Sequence, residues 1–163
     1  VKDNVQVSGY DLLKRRTALN IVLNDVLGRS SELYNKLYDE GLINDTFRFE
    51  TSLDKAYGFV ACGGQSPDPK KAAEIISEAL SETAARGISE EAFSRILKAY
   101  QGMYVRSFNS VDNIAREMTD AYFNDASYFD IGRVLEEIDI SYTNKVINEV
   151  FSNKTALSVI NPQ

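Results

Sequence analysis

The amino-acid sequence predicts an α+β domain, a small antiparallel β-sheet packed by several helices. Three observations predict it. Apolar residues recur at helical spacing through most of the 163 residues, residues 43–61 switch to a period of two around a short polar turn, and glycines and capping residues mark the boundaries. With 44% hydrophobic and 26% charged residues, the chain has enough material for one real core, and residues 1–163 read as a single domain.

Val1, Val5 and Val7 alternate with polar residues and suit the tail of a strand, so the domain is expected to lack its first strand and to be a fragment of a longer chain. Ser8 offers a cap for a helix over 10–27, with Leu12, Leu13, Leu19, Val22, Leu23 and Val26 forming a broad apolar face. Gly28 ends it. Ser30 or Ser31 caps a second helix to about Glu40, with Leu33, Tyr34 and Leu37 inward and Gly41 as its stop.

Phe47 and Phe49 alternate with Thr46, Arg48 and Glu50, which predicts a half-buried strand over 43–53. Leu53-Asp54-Lys55 is read as a turn into an antiparallel partner, Ala56 to Ala61. Gly63, Gly64, Pro67 and Pro69 then break the chain before a helix over 68–86, whose face is Ala72, Ile75, Ile76, Ala79 and Leu80. Gly87 closes that helix, and Ser89-Glu90-Glu91 starts the next, because acids suit a helix N-terminus. Phe93, Ile96, Leu97, Tyr100 and Tyr104 continue its apolar side. Further helices are expected near 110–124, 130–137 and 141–151, then a closing strand through Leu157, Val159 and Ile160 that stops at Pro162.

Composition removes several kinds of chemistry. A net charge of -6 repels phosphate backbones, and no basic stripe reverses it, which excludes nucleic acid as a partner. The chain has no histidine, so it lacks the commonest metal ligand, the commonest general base and every Ser-His or Cys-His nucleophile pair. Cys62 alone forms neither an internal disulfide nor a thiolate metal site. A single cysteine fits a reducing compartment, and no apolar run approaches a membrane span or a signal peptide; the expected location is cytoplasmic.

The remaining candidates have plain readings. Glu90/Glu91 and Glu136/Glu137 are adjacent on helices and point about 100° apart, so they suit a solvated face better than paired acid-base work. Gly63-Gly64 with Ser66, Lys70 and Lys71 sits where phosphate loops lie, yet it lacks either glycine-rich signature and reads as a β-to-α connection. Asn44-Asp45-Thr46 and Asn153-Lys154-Thr155 match the glycosylation pattern by chance. Tyr100, Tyr104, Tyr122 and Tyr128 fall at packing spacings. Arg29 and Arg48 offer positive charge, Arg48 from the polar face of its strand.

One run goes further. Gly28-Arg29-Ser30-Ser31-Glu32-Leu33-Tyr34-Asn35-Lys36-Leu37-Tyr38-Asp39-Glu40-Gly41-Leu42 resembles the signature helix in the non-zinc half of the M16 metallopeptidases, the insulinase, pitrilysin and mitochondrial-processing family. There the stretch reads roughly G-x-x-S-R-L-F-Q-E-L-R-E-K-R-G-L-A-Y. Gly87-Ile88-Ser89-Glu90-Glu91-Ala92-Phe93, Ser110-Val111-Asp112-Asn113-Ile114-Ala115, Ile138-Asp139-Ile140-Ser141 and Leu157-Ser158-Val159-Ile160-Asn161-Pro162 match later family segments in order and spacing. The wording is most similar to a bacterial branch that works as paired subunits.

The resemblance implies a C-terminal, non-zinc domain of the M16 (LuxS/mitochondrial-processing-peptidase-like) fold. In the family an Arg and a Tyr of this motif help bind substrate; here those positions hold Tyr38 and, after one deletion, Asn44. They are the two candidate substrate-binding residues. The resemblance implies no catalytic or metal-binding residue and no cofactor in this chain, with zinc expected in an upstream or partner half bearing His-x-x-Glu-His. The expected function is the inactive half of a zinc peptidase subunit, closing a chamber around a peptide or protein substrate, in a homo- or heterodimer. The alternative is a stand-alone protein-binding or scaffold domain that has lost peptidase function.

Overall fold

A helix that is apolar on most of its faces must be surrounded, and residues 9–27 become that element. In the computed structural model, which describes residues 1–3, 6–152 and 155–161, the order is β1 (Lys2–Asp3), α1 (Gly9–Leu27), α2 (Glu32–Asp39), β2 (Arg48–Asp54), β3 (Tyr57–Gly63), α3 (Pro69–Arg86), α4 (Glu90–Ser107), α5 (Val111–Phe123), α6 (Asp130–Glu137) and α7 (Ile140–Phe151). Helix α1 buries Leu12, Leu13, Ala18, Leu19, Ile21, Val22, Leu23, Val26 and Leu27. It touches β2 on one side and α2, α3, α4, α6 and α7 around the rest. The fold is α+β, as expected.

The sheet is antiparallel throughout, in the order β1-β3-β2. Leu53, Gly58 and Val60 turn inward, while Tyr57 and Phe59 stack on the outer face with ring centroids 6.1 Å apart. The hairpin turn is Lys55–Ala56 rather than Leu53-Asp54-Lys55, because Asp54 still pairs with Tyr57 and its carboxylate accepts the Ala56 N–H at 3.0 Å. Residues 43–47 do not join β2. The N–H groups of Leu42 and Ile43 go back to the Leu37 carbonyl, and that of Phe47 to Asn44, which consumes the donors a ladder would need.

Capping residues set most helix starts. Ser31, Asp68, Ser89, Ser110 and Asp139 each accept the N–H three residues on. Ser8 does not cap with its side chain; α1 begins instead where the Gly9 N–H donates to the Asn124 carbonyl at 2.7 Å. The closing strand is also absent among the described residues. Residues 155–161 form no ladder, and Ile160 is 94% exposed. Val5, Pro162 and the pattern at Asn153-Lys154 lie outside the described residues.

Helix α5 is held differently from the others. Of its residues only Ala121 is buried, while Val111 is 81% and Tyr122 77% exposed. Its tethers sit at its C-terminal end, where Arg16 meets Asp120 at 2.7 Å and the Asn124 side chain accepts the Lys55 N–H at 3.1 Å. Tyr122 thus departs from the packing role expected of the tyrosines. Tyr104 and Tyr128 fulfil it, in a cluster with Phe108 whose ring centroids lie 5.1–5.8 Å apart.

The least expected buried group is Arg15, 3% exposed on α1. Its Nε and Nη2 grip Asp3 of β1 at 2.6 and 2.9 Å, and its Nη1 reaches Glu149 of α7 at 2.7 Å. Burial opposes its charge, yet the hydrogen bonds to Asp3 and Glu149 outweigh that and raise its pKa. Arg15→Ala is expected to cost about 3–5 kcal/mol, since it removes the fork from a buried carboxylate. Arg15→Lys should lose less, keeping charge but not the bidentate geometry. Urea unfolding midpoints of the two variants check both values.

Candidate functional site

The signature run places its residues around the junction of α1, α2 and β2. Gly28 makes the break between the helices, and a Cβ there would run into the Asn24 carbonyl. The chain can therefore turn sharply, and Arg29 and Ser30 emerge at the mouth of a cleft of about 450 Å³. Its walls are Leu27, Tyr34, Phe47 and Phe49, with Asn24 and Arg48 at the rim.

Tyr38 lies one turn from this cleft. It is 49% exposed and stacks on Tyr34, centroid to centroid 6.1 Å at 13°. Tyr34 in turn packs at 6.2 Å against Phe47. Asn44 is used locally. Its Oδ1 accepts the Thr46 N–H at 3.0 Å and the Thr46 hydroxyl at 2.5 Å, and its Nδ2 donates to Gln65 at 3.3 Å. Tyr38 and Asn44 thus flank the two ends of one structural unit, the α2–β2 connection, with Asn44 shaping the turn that presents Asp45.

Both candidate arginines converge on that turn. Arg29 donates to the Asp45 carbonyl at 3.4 Å, and Arg48 donates through Nη1 to the carbonyls of Asp45 and Phe47. Arg48 is therefore engaged rather than simply solvated on a strand face. The convergence needs the fold of the turn, and no spacing rule exposes it; the visible signal was only that each arginine follows a wall-forming break, Gly28 or Phe47.

The other candidates separate. Glu137 accepts the Tyr10 hydroxyl at 2.6 Å, and burial followed by this contact pushes the Tyr10 pKa up to about 12. Glu90 and Glu91 lie in the exposed first turn of α4. Ser66 accepts the Asp68 N–H in a plain turn. Gly64 answers to packing, since a Cβ there would stand 2.7 Å from Phe47 Cα. Cys62 is solvent-accessible within a groove beside β3, whose surroundings raise its thiol pKa by burial. Among the described residues no three His, Cys, Asp or Glu side chains gather to hold a metal. No helix of the described residues is long and apolar enough to cross a membrane.

A small antiparallel sheet packed around a central helix, with the signature helix in place, has the form of a peptidase-type domain. The chain belongs to the M16 peptidase family: the family model described as the peptidase M16 inactive domain matches residues 7–100. It is 36% identical over 141 residues to the uncharacterized zinc protease YmfH of Bacillus subtilis (strain 168), covering 86% of this chain and 33% of that protein. It superposes on a candidate M16-like peptidase from Alicyclobacillus acidocaldarius with a TM-score of 0.84 and 28% identity, over 91% of this chain and 36% of that one. The inactive peptidase domain of a candidate zinc protease from Bordetella parapertussis shares the fold, with a TM-score of 0.75, 15% identity, and coverage of 97% and 89%. The chain thus spans about a third of the length of the first two relatives.

Gly64→Ala should push Phe47 from the cleft wall and destabilise the domain by about 1–3 kcal/mol, because the clashing atoms are backbone and cannot rotate away. Thermal unfolding measures the loss.

Proposed function

We propose that this chain is the non-catalytic half of an M16-type zinc peptidase subunit, packing against a zinc-bearing half and completing a chamber around a peptide or protein substrate. The observation that carries this reading is the signature run, set at the junction of α1, α2 and β2 in a chain whose residues 7–100 match the peptidase M16 inactive domain. Beside β3 lies a groove of about 520 Å³, walled by Val60, Phe47, Ala72, Ile76 and Leu80, and apolar surface of this kind is what a packed partner domain covers.

The matched relatives are about three times as long as the part this chain covers, which leaves room for a zinc-bearing half. In this reading zinc and the attack of its water on a peptide bond belong to that half, and this chain contributes walls. Tyr38 and Asn44, in the family's substrate-binding positions, shape the wall. The reading assigns the assembly to the cytoplasm, which cell fractionation tests.

Affinity capture from an extract of the source cells, with mass spectrometry of the bound proteins, tests the function. Recovery of an M16-like chain carrying His-x-x-Glu-His is the expected result. Recovery of an unrelated protein, or of this chain alone, overturns it in favour of a scaffold domain.

A further inference from the structure

We infer that the cleft between α2 and β2 binds the carboxylate of an apolar peptide segment, with Arg29 and Arg48 as its clamp. The inference rests on the reading of this chain as one wall of a peptide chamber and names the chemical group which that wall grips.

A guanidinium carries five N–H donors in a planar fork. Arg29 engages Nη2 alone, on the Asp45 carbonyl, and Arg48 engages Nη1 alone, on the carbonyls of Asp45 and Phe47. The Nε and the second terminal nitrogen of each fork meet no acceptor among the described residues, and no ion pair is formed by either. Arg15, Arg16, Arg95 and Arg133 are each met by an acid, and Arg86, Arg106 and Arg116 share with Arg29 and Arg48 the lack of an ion pair among the described residues; what sets Arg29 and Arg48 apart is that both converge on the Asp45 carbonyl. Two cations that share one carbonyl repel each other, and an anion between them removes that repulsion.

The surroundings select the anion. No Asp or Glu lines the cleft, and its body is Leu27, Tyr34, Phe47 and Phe49. The Asn24 amide nitrogen donates to the Asn20 carbonyl and the Tyr100 hydroxyl, which leaves its Oδ1 to accept a peptide N–H. A singly charged carboxylate beside an apolar side chain satisfies forks and walls together. A phosphate dianion finds no use for the aromatic walls and meets the field of a chain with net charge -6.

The experiment is a titration of the ¹⁵N-labelled protein, followed by NMR, with N-acetyl-Leu-Phe as free acid, the same dipeptide as its amide, N-acetyl-Leu-Phe-Asp-amide and inorganic phosphate. The acid is expected to bind about tenfold or more tighter than the amide, shifting the amide signals of Ser30, Tyr34, Phe47 and Arg48. The Asp peptide separates the two carboxylate sources: if it matches the acid, a side chain is gripped; if it matches the amide, a chain terminus is. Both outcomes sustain the site. Equal binding of acid and amide, tighter binding of phosphate, shifts confined to another surface, or no shift at about 10 mM would overturn it. The double variant Arg29→Ala/Arg48→Ala should lower affinity for the acid about tenfold or more. Should that variant misfold, the comparison of acid and amide on the unaltered protein still decides. If the variant keeps its shape, loses no acid affinity and still captures a zinc-bearing chain, the clamp fails while the chamber reading stands.

Discussion

The domain depends on one buried cation. Arg15 sits in the middle of the central helix and is joined at once to β1 through Asp3 and to α7 through Glu149. Burying a guanidinium is costly unless its donors are met, so the arrangement discriminates among alternatives more than it adds stability. A one-residue slip of β1 along β3 would carry Asp3 to the outer face of the sheet, leaving Arg15 without its fork. The register Lys2 to Phe59 and Asp3 to Gly58 is thereby tied to the position of α1. The same contact fixes where α7 lies against α1. Two residues of strand, too few to hold a ladder by themselves, are kept in place by charge.

Helices were readable from the sequence because their punctuation is local. A serine or aspartate three residues ahead of the N–H it accepts, and a glycine after the last apolar position, work within a few residues of chain. Ser31 and Ser89, both read as caps, do so, and in the structure Asp68 and Ser110 do the same. Ser8 does stand at the N-cap of α1, but its side chain makes no capping bond, and the start is also held from far away, where Gly9 donates to Asn124. The strand expected at Leu157–Ile160 does not form among the described residues, since alternation marks a segment able to pair without supplying its partner. Arg15 gave no hint in the sequence, since an arginine between Lys14 and Arg16 reads as a solvated basic run until Asp3 and Glu149 are brought beside it.

The candidate site shows the same division. The signature helix was legible as a glycine break, a serine cap and an inward Leu-Tyr-Leu face, and these are what the structure uses to set the cleft. Tyr38 and Asn44, read as standing at the family's Arg and Tyr positions, lie at the two ends of the α2–β2 connection. What spacing could not show is that Asn44, by folding its own turn, offers the Asp45 carbonyl to two arginines nineteen positions apart in the sequence, Arg29 and Arg48. Scaffold and side-chain chemistry are separable here: the backbone features that build the wall persist with different side chains displayed on it.

The tethering of α5 at a single end has a consequence for motion. Its backbone bonds are closed by helix formation alone over its first turns, with little apolar burial to resist opening. Such a helix frays from Val111 inward while the Arg16–Asp120 and Lys55–Asn124 contacts still hold its other end. Amide hydrogens of α5 will therefore exchange with solvent by local opening, well before those of α1, whose release requires the whole core to come apart. The domain has two tiers of rigidity, and the softer one is a lever hinged beside the β2–β3 turn.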